Sequence, residues 1–130
     1  MTNTTNKNAS KRPVNLNLTT IRFPLTAILS ILHRITGVII FLGMPILLWM
    51  FAKSLSSEAG FLELQTMLDN TLCKLIFLGI LAALSFHIIA GIKHLFLDKG
   101  IGESESGAKI SSRLVLFSTL LVLIFLGAQL

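Results

Sequence analysis

Three uninterrupted runs without a charged residue dominate the chain: Ile35–Ala52, Leu75–Ile92 and Leu114–Leu130, of 18, 18 and 17 residues. A helix rises 1.5 Å per residue, and crossing the hydrocarbon layer of a bilayer takes about 17–25 residues. Each run reaches that length once its flanks are added. Together they leave no room in 130 residues for a water-soluble catalytic domain. Only 13% of the residues are charged and 53% are hydrophobic, against about 25% charged in a soluble domain. The expected fold class is therefore all-α and integral to the membrane, with three transmembrane helices.

The expected organisation is a polar N-terminal segment, 1–23, followed by a three-helix transmembrane domain, 24–130, with spans at about 24–52, 71–98 and 111–130. Residues 1–13 have nothing to bury and read as disordered. VNLNLTTIRF (14–23) alternates apolar and polar residues and reads as lying along the membrane surface or a partner. Pro24 fits the first turn of a helix, where its missing N–H costs nothing. Pro45 falls inside the first span, a position that membrane helices tolerate. Trp49 sits where an interfacial anchor belongs. FLELQTMLDN (61–70) reads either as a short surface helix or as the lead-in to the second span. KGIGESESGAK (99–109) reads as a Gly/Ser-rich polar loop. The third helix has no charge after Arg113, and Ser118, Thr119 and Gln129 are expected to be satisfied locally. Its expected role is structural. Cys73 is the single cysteine, which excludes an internal disulfide and leaves it as a small packing residue. No secretory signal or transit peptide is apparent, so the first span is expected to direct its own insertion. No phosphate loop, nucleotide fingerprint or internal repeat is present, and no nucleic acid partner is expected.

The net charge of +5 is unevenly placed. Lys7, Lys11, Arg12 and Arg22 precede the first span with no acid among them. The first connection, 53–74, holds two bases and three acids, while 93–113 holds four bases and three acids. Lys and Arg mark the cytoplasmic side of short membrane loops. The expected orientation has the N-terminus and the second connection in the cytoplasm.

All three histidines, His33, His87 and His94, lie in or beside the spans. His87 is twelve residues past Leu75 and eleven before Asp98, about 16–18 Å from either end at 1.5 Å per residue. An imidazole near mid-bilayer is costly unless it bonds a partner or a metal, and is a functional candidate by default. Two readings stand: a hydrogen bond to a Ser or Thr of a neighbouring helix, or a cofactor ligand. Positions 83, 87, 90/91 and 94 share one helix face and read Ala83, His87, Ala90/Gly91, His94. Small residues admit a close neighbouring helix, or equally a flat macrocycle whose iron takes a neutral imidazole. His94, about 10 Å further along the helix, and His33 are not expected to face His87 across such a plane. A second ligand would then come from a partner subunit.

Ser30 and Arg34 are i and i+4 in the first span, with His33 just round from them. Arg34 is within reach of the membrane boundary. The pair reads either as a topology anchor beside a locally bonded serine, or as a hydroxyl donor and a fixed cation presented to a lipid-soluble ligand. A quinone carbonyl accepts a hydrogen bond, and its one-electron-reduced form is an anion that a guanidinium stabilises. His33, His94 and Lys93 fall at about the same level, where the propionates of a haem would be neutralised.

RPVNLNLTTIRFP, then SILHRITG (30–37), then HIIAGIKHLFLD (87–98) resembles the cytochrome b membrane-anchor subunits of succinate dehydrogenase. The paired motifs cover the N-terminal approach and the first two spans; the rest contributes only length and hydrophobicity. Lys93 stands where the family often has arginine, which keeps the charge without the planar fork. The resemblance implies a subunit of respiratory complex II in a bacterial inner membrane, with no catalytic residue of its own. It would bind a second anchor subunit, an iron–sulfur subunit and a flavoprotein subunit. Haem b would lie between the two anchors, and ubiquinone would be the electron acceptor. Carried onto matching positions, Ser30, Ile31 and Arg34 line the quinone site, His87 is the axial haem ligand, and His33, Arg34 and His94 lie near the propionates. The rival readings are a structural or assembly protein without a cofactor, a proton or ion pathway through His87 and His94, and a cytochrome b anchor of a different dehydrogenase.

Overall fold

The computed structural model describes residues 20–129. The expectations for the segment before Thr20 lie outside the described residues, as does Leu130. Four helices follow in order: α1, Leu25–Ser56; α2, Glu58–Asp69; α3, Thr71–Asp98; and α4, Glu105–Gln129. α1, α3 and α4 are each long and apolar enough to cross a membrane. Large apolar residues cover their outer faces, from Phe41 at 78% exposure on α1 to Phe125 at 64% on α4. In water such faces would collapse together, whereas in hydrocarbon they are the solvated surface. Of the most apolar window of α1, only 6% is buried inside the chain. Lipid or another protein must cover the remainder.

α1 passes through Pro45 without a break and ends one turn later than the sequence suggested. That last turn is held by Lys53, which pairs with Glu63 of α2 at 2.8 Å. The hydroxyls of Ser54 and Ser56 donate to the carbonyls of Phe51 and Lys53. Ser57 then caps α2, its hydroxyl accepting from the Gly60 N–H at 3.0 Å. Gly60 is buried in this corner, where a Cβ would come within 2.7 Å of the Lys53 carbonyl oxygen. The segment 61–70 is thus the greater part of a separate helix. Asn70 ends it and starts α3, its side-chain oxygen accepting from the N–H groups of Leu72 and Cys73.

The limits of α3 coincide with the expected second span. The chain leaves it through Gly100 at φ +75° and Gly102 at φ +81°. Gly100 N–H donates to Leu97 O and Ile101 N–H to Phe96 O, the paired bonds by which a left-handed glycine closes a helix. α4 begins at Glu105, about six residues before the expected start near Ser111. The Gly/Ser-rich composition masked a capping sequence. Ser104 Oγ accepts from Gly107 N–H at 3.1 Å, and Glu105 pairs with Lys109 one turn on.

α1 and α4 both run antiparallel to α3. Gly43 of α1 meets Ile80, and His33, ten residues earlier, meets His87. The buried face of α3 is Ile80, Ala83, Phe86, Ala90 and Lys93, one stripe at the three-to-four residue spacing of a helix. Leu29, Phe86, Ala90 and Val115 form the small core where the three spans meet. Lys93 is 7% exposed and turns towards α4, its Nζ donating to Ser112 Oγ at 2.9 Å. The Ser112 hydroxyl passes its own proton to Ala108 O at 2.7 Å. Lys93 is therefore a strut between α3 and α4, a charged hydrogen bond of about 1.5–3 kcal/mol, and its ammonium is turned to α4 rather than to the histidines between α1 and α3. Of the three polar groups expected to be satisfied locally in the last span, Thr119 donates to Val115 O, whereas Ser118 and Gln129 make no hydrogen bond among the described residues.

At Gly43 a Cβ would lie 2.9–3.2 Å from three side-chain carbons of Ile80, itself only 6% exposed. Gly43→Val is expected to prise α1 from α3 and destabilise the protein by about 1–3 kcal/mol. Thermal unfolding in mild detergent measures this; an unchanged midpoint would show that α1 and α3 do not pack so closely there.

Candidate functional site

The residues that crowd together lie on the facing sides of α1 and α3. On α1 they are His33, Thr36 and Gly37, which share a face at i, i+3 and i+4. On α3 they are His87, Gly91 and His94. The rings of His33 and His87 stack with centroids 4.0 Å apart and planes 11° from parallel. His94 meets His33 edge-on at 5.1 Å. His33 thus joins the two histidines of α3, which are separated by two helical turns.

Counting residues had placed His33 away from His87 in depth, and the stacked rings correct that. His87 lies against Gly37 and His33 against Gly91, an offset of one turn, about 6 Å, which side chains reaching across the interface absorb. Stacking nonetheless excludes His33 as the opposite ligand to a shared iron. Two axial imidazoles direct nitrogens at one another through the metal, whereas stacked rings present their faces. No hydrogen bond joins two of the three imidazoles among the described residues. Nor does any group of three or more His, Cys, Asp or Glu converge there as for a bare metal ion.

The two nitrogens of His87 are not equivalent. Nδ1 lies 3.0 Å from the His33 carbonyl oxygen and 3.3 Å from Thr36 Oγ1. A carbonyl can only accept, so Nδ1 carries the proton and donates to it. In the neutral ring Nε2 then holds a lone pair, and it has no hydrogen-bond partner among the described residues. The hydrogen bond to a neighbouring helix and the availability of a metal-binding nitrogen, posed above as alternatives, coexist on one ring.

Two glycines make the approach feasible. A Cβ on Gly37 would meet His87 Cε1 at 3.0 Å, and one on Gly91 would meet His33 Nε2 at 3.4 Å. The small-residue stripe of α3 is therefore split in use. Ala83 and Ala90 are buried in helix packing, while Gly91 lies under the His33 ring. Thr36 and Gly37 went unnoticed in the sequence, although the same i, i+3, i+4 rule applied to α1 from His33 would have found them.

Ser30, Ile31 and Arg34 do not join this cluster. Ile31 is 46% exposed, Arg34 is exposed and Ser30 half-buried, on the neighbouring face of α1. Several hydroxyls elsewhere in the helices, including those of Thr36, Ser85, Ser111 and Thr119, donate to a carbonyl three or four residues back. Ser30 makes no such bond, and Arg34 has no ion-pair partner among the described residues. Two cavities among the described residues lie elsewhere. One of about 580 Å³ sits between α1, α2 and α3 near Phe51 and Phe77, and one of about 350 Å³ lies between α3 and α4 beside Lys93.

A three-span membrane subunit with a histidine cluster on its first two spans is the class of protein defined by this fold and site. The profile of the family described as succinate dehydrogenase/fumarate reductase transmembrane subunit matches residues 8–126. The succinate dehydrogenase cytochrome b556 subunit of Coxiella burnetii (strain RSA 493 / Nine Mile phase I) is 40% identical over 119 residues, covering 91% of this chain and 95% of that protein. The subunit of the same name from Paracoccus denitrificans is 34% identical over 120 residues, 92% of each. The mitochondrial cytochrome b560 subunit of Sus scrofa is 33% identical over 131 residues, 95% of this chain and 75% of that protein. The chain belongs to the family of succinate dehydrogenase transmembrane subunits, and it is a multi-pass inner-membrane protein.

Gly37→Ala is expected to push the His87 ring by a few tenths of an ångström while leaving the helices in place. The readout is the ¹⁵N resonance of His87 Nδ1 in labelled protein; an unmoved resonance would mean that the ring does not rest on Gly37.

Proposed function

We propose that the chain is a membrane anchor of a succinate:quinone oxidoreductase, holding a b-type haem through His87 and forming part of the ubiquinone site with Ser30, Ile31 and Arg34. The observation that carries the haem assignment is the state of the His87 ring. Its proton is committed to Nδ1, its Nε2 has a free lone pair, and Gly37 clears the space at its edge. Those are the requirements of an axial imidazole. When bound, the haem would supply a one-electron carrier within the hydrocarbon layer. The relatives' names, cytochrome b556 and b560, support the same assignment.

This chain offers one axial ligand, because the stacked His33 cannot face His87 across an iron. The second ligand belongs to a second anchor subunit, which would also cover the apolar faces left bare on α1. His33, His94 and Arg34 lie at the level suited to the haem propionates, whereas Lys93 is engaged with Ser112. An iron–sulfur subunit and a flavoprotein subunit would dock on the cytoplasmic side, which the distribution of Lys and Arg assigns to the N-terminus and the α3–α4 connection.

Ser30 and Arg34 suit a quinone because nothing within the described residues uses them. A serine hydroxyl not bonded to its own helix can donate to a quinone carbonyl. An exposed guanidinium one turn away stabilises negative charge as electrons arrive, and Ile31 supplies an apolar contact for the ring. The electrons come from the partner subunits. This chain orients the acceptor and the carrier.

His87→Ala in the whole complex is expected to abolish or alter the b-type band in a reduced-minus-oxidised spectrum; an unaltered band would assign the iron to another ligand. Arg34→Ala is expected to slow quinone reduction by on the order of 10- to 100-fold, the loss of one charged hydrogen bond. Succinate oxidation by an artificial acceptor should hardly change. Equal loss of both activities would remove Arg34 from the quinone site.

A further inference from the structure

Thr36 is one helical turn from His33 and lies against the edge of the His87 ring, and nothing in the quinone or haem assignments above gives it a task. We infer that Thr36 is a positioning residue for His87: its hydroxyl, together with the His33 carbonyl, holds the imidazole in the tautomer that leaves Nε2 free to bind iron. This inference rests on the proposed role of His87 as the haem ligand.

The direction of donation at Thr36 Oγ1 follows from the His33 carbonyl, which can only accept from His87 Nδ1 and so leaves the hydroxyl as a second acceptor there. The hydroxyl has a single proton, and two carbonyls of its own helix are placed to receive it, Leu32 O at 2.9 Å and His33 O at 3.0 Å. With the proton turned to either, the oxygen presents lone pairs to His87 Nδ1, 3.3 Å away. The other neighbour of Nδ1 is the His33 carbonyl at 3.0 Å, also an acceptor. A proton on Nε2 instead would leave Nδ1 with a lone pair facing two oxygens. The arrangement therefore selects the Nδ1–H form from both sides.

Thr36 is not redundant with the carbonyl. The His33 oxygen has two lone pairs, and within a helix one of them is engaged by the N–H four residues on, that of Gly37. Sharing the Nδ1 proton between carbonyl and hydroxyl relieves the crowding at that oxygen. It also fixes the ring's rotation, since two acceptors on one helix define a direction that a single acceptor does not. Thr36 is itself held by bonding back to its own helix and by the restricted rotamers of a β-branched residue. A ligand imidazole that donates from its second nitrogen is more electron-rich. It favours the more oxidised state of the metal it binds.

The test is an equilibrium redox titration of the b-type band in the purified whole complex, comparing the parent with Thr36→Val, Thr36→Ser and His87→Ala. Thr36→Val keeps the shape and removes the acceptor, and is expected to shift the haem midpoint potential to a more positive value. Thr36→Ser keeps the acceptor and is expected to return the potential to that of the parent. Loss of the haem in Thr36→Val with retention in Thr36→Ser would support the same role more strongly. A parental potential in Thr36→Val, or an equal shift or loss in Thr36→Ser and Thr36→Val, would overturn it, the second pattern by showing that the threonine acts through packing. His87→Ala separates the levels. If it leaves the band unaltered, the ligand assignment falls and this inference with it. If it removes the band while Thr36→Val titrates like the parent, the role of Thr36 alone falls.

Discussion

Hydrocarbon offers no hydrogen bonds, so each polar group on a membrane span must be satisfied by the protein. Most of the structure follows from how this chain meets that demand. The cheapest solution is local. Thr36, Ser85, Ser111, Ser112 and Thr119 each return a hydroxyl proton to a carbonyl of their own helix. Two groups too large for that solution reach across to another span instead. Lys93 crosses from α3 to Ser112 of α4, and His87 crosses from α3 to the His33 carbonyl and Thr36 of α1. These two cross-links tie α3 to both other spans, which makes the second span the centre of the bundle.

Cross-links of this length need helices that approach closely, and glycine supplies the clearance. Gly43 receives Ile80, Gly37 receives His87, and Gly91 lies under His33. Packing and polar satisfaction are thereby one design. The glycine that lets the α3 histidine approach α1 sits beside the threonine that bonds it, within the single turn HRITG. Ser30 and Arg34, on the same span as His33, have no partner within the described residues, a state they share with Thr26, Ser118 and Arg113. Among the described residues every buried side-chain polar atom has a partner, and Ser30 and Arg34 are half-buried and exposed respectively.

The family resemblance and the helix count were legible in the sequence because both rest on local patterns: charge-free runs of spanning length, and two short motifs. The second span was readable to the residue, since Asn70 is a strong cap and Gly100 a strong stop. The third was misread at its start. Its Gly/Ser-rich composition resembles a loop, but Ser104 is a cap and Glu105 a first-turn acid. The site was legible in part. His87, His33 and His94 drew attention as ionisable groups at membrane depth, but residue counting along separate helices measured axial distance alone and set His33 apart from His87.

Sequence alone determined that this chain spans a membrane three times and belongs among the succinate dehydrogenase anchors, because hydrophobic length and motif spacing are properties of contiguous residues. Only the tertiary structure decided which of its polar groups meet. The stacking of His33 on His87, the proton held on Nδ1, the diversion of Lys93 to Ser112 and the part played by Thr36 and Gly37 all depend on how two antiparallel helices are rotated about their axes. A rotation of one residue, about 100°, would replace every one of these contacts. It is set by packing between residues distant in sequence, such as Gly43 against Ile80 and Leu29 with Phe86, Ala90 and Val115, and no local pattern records it.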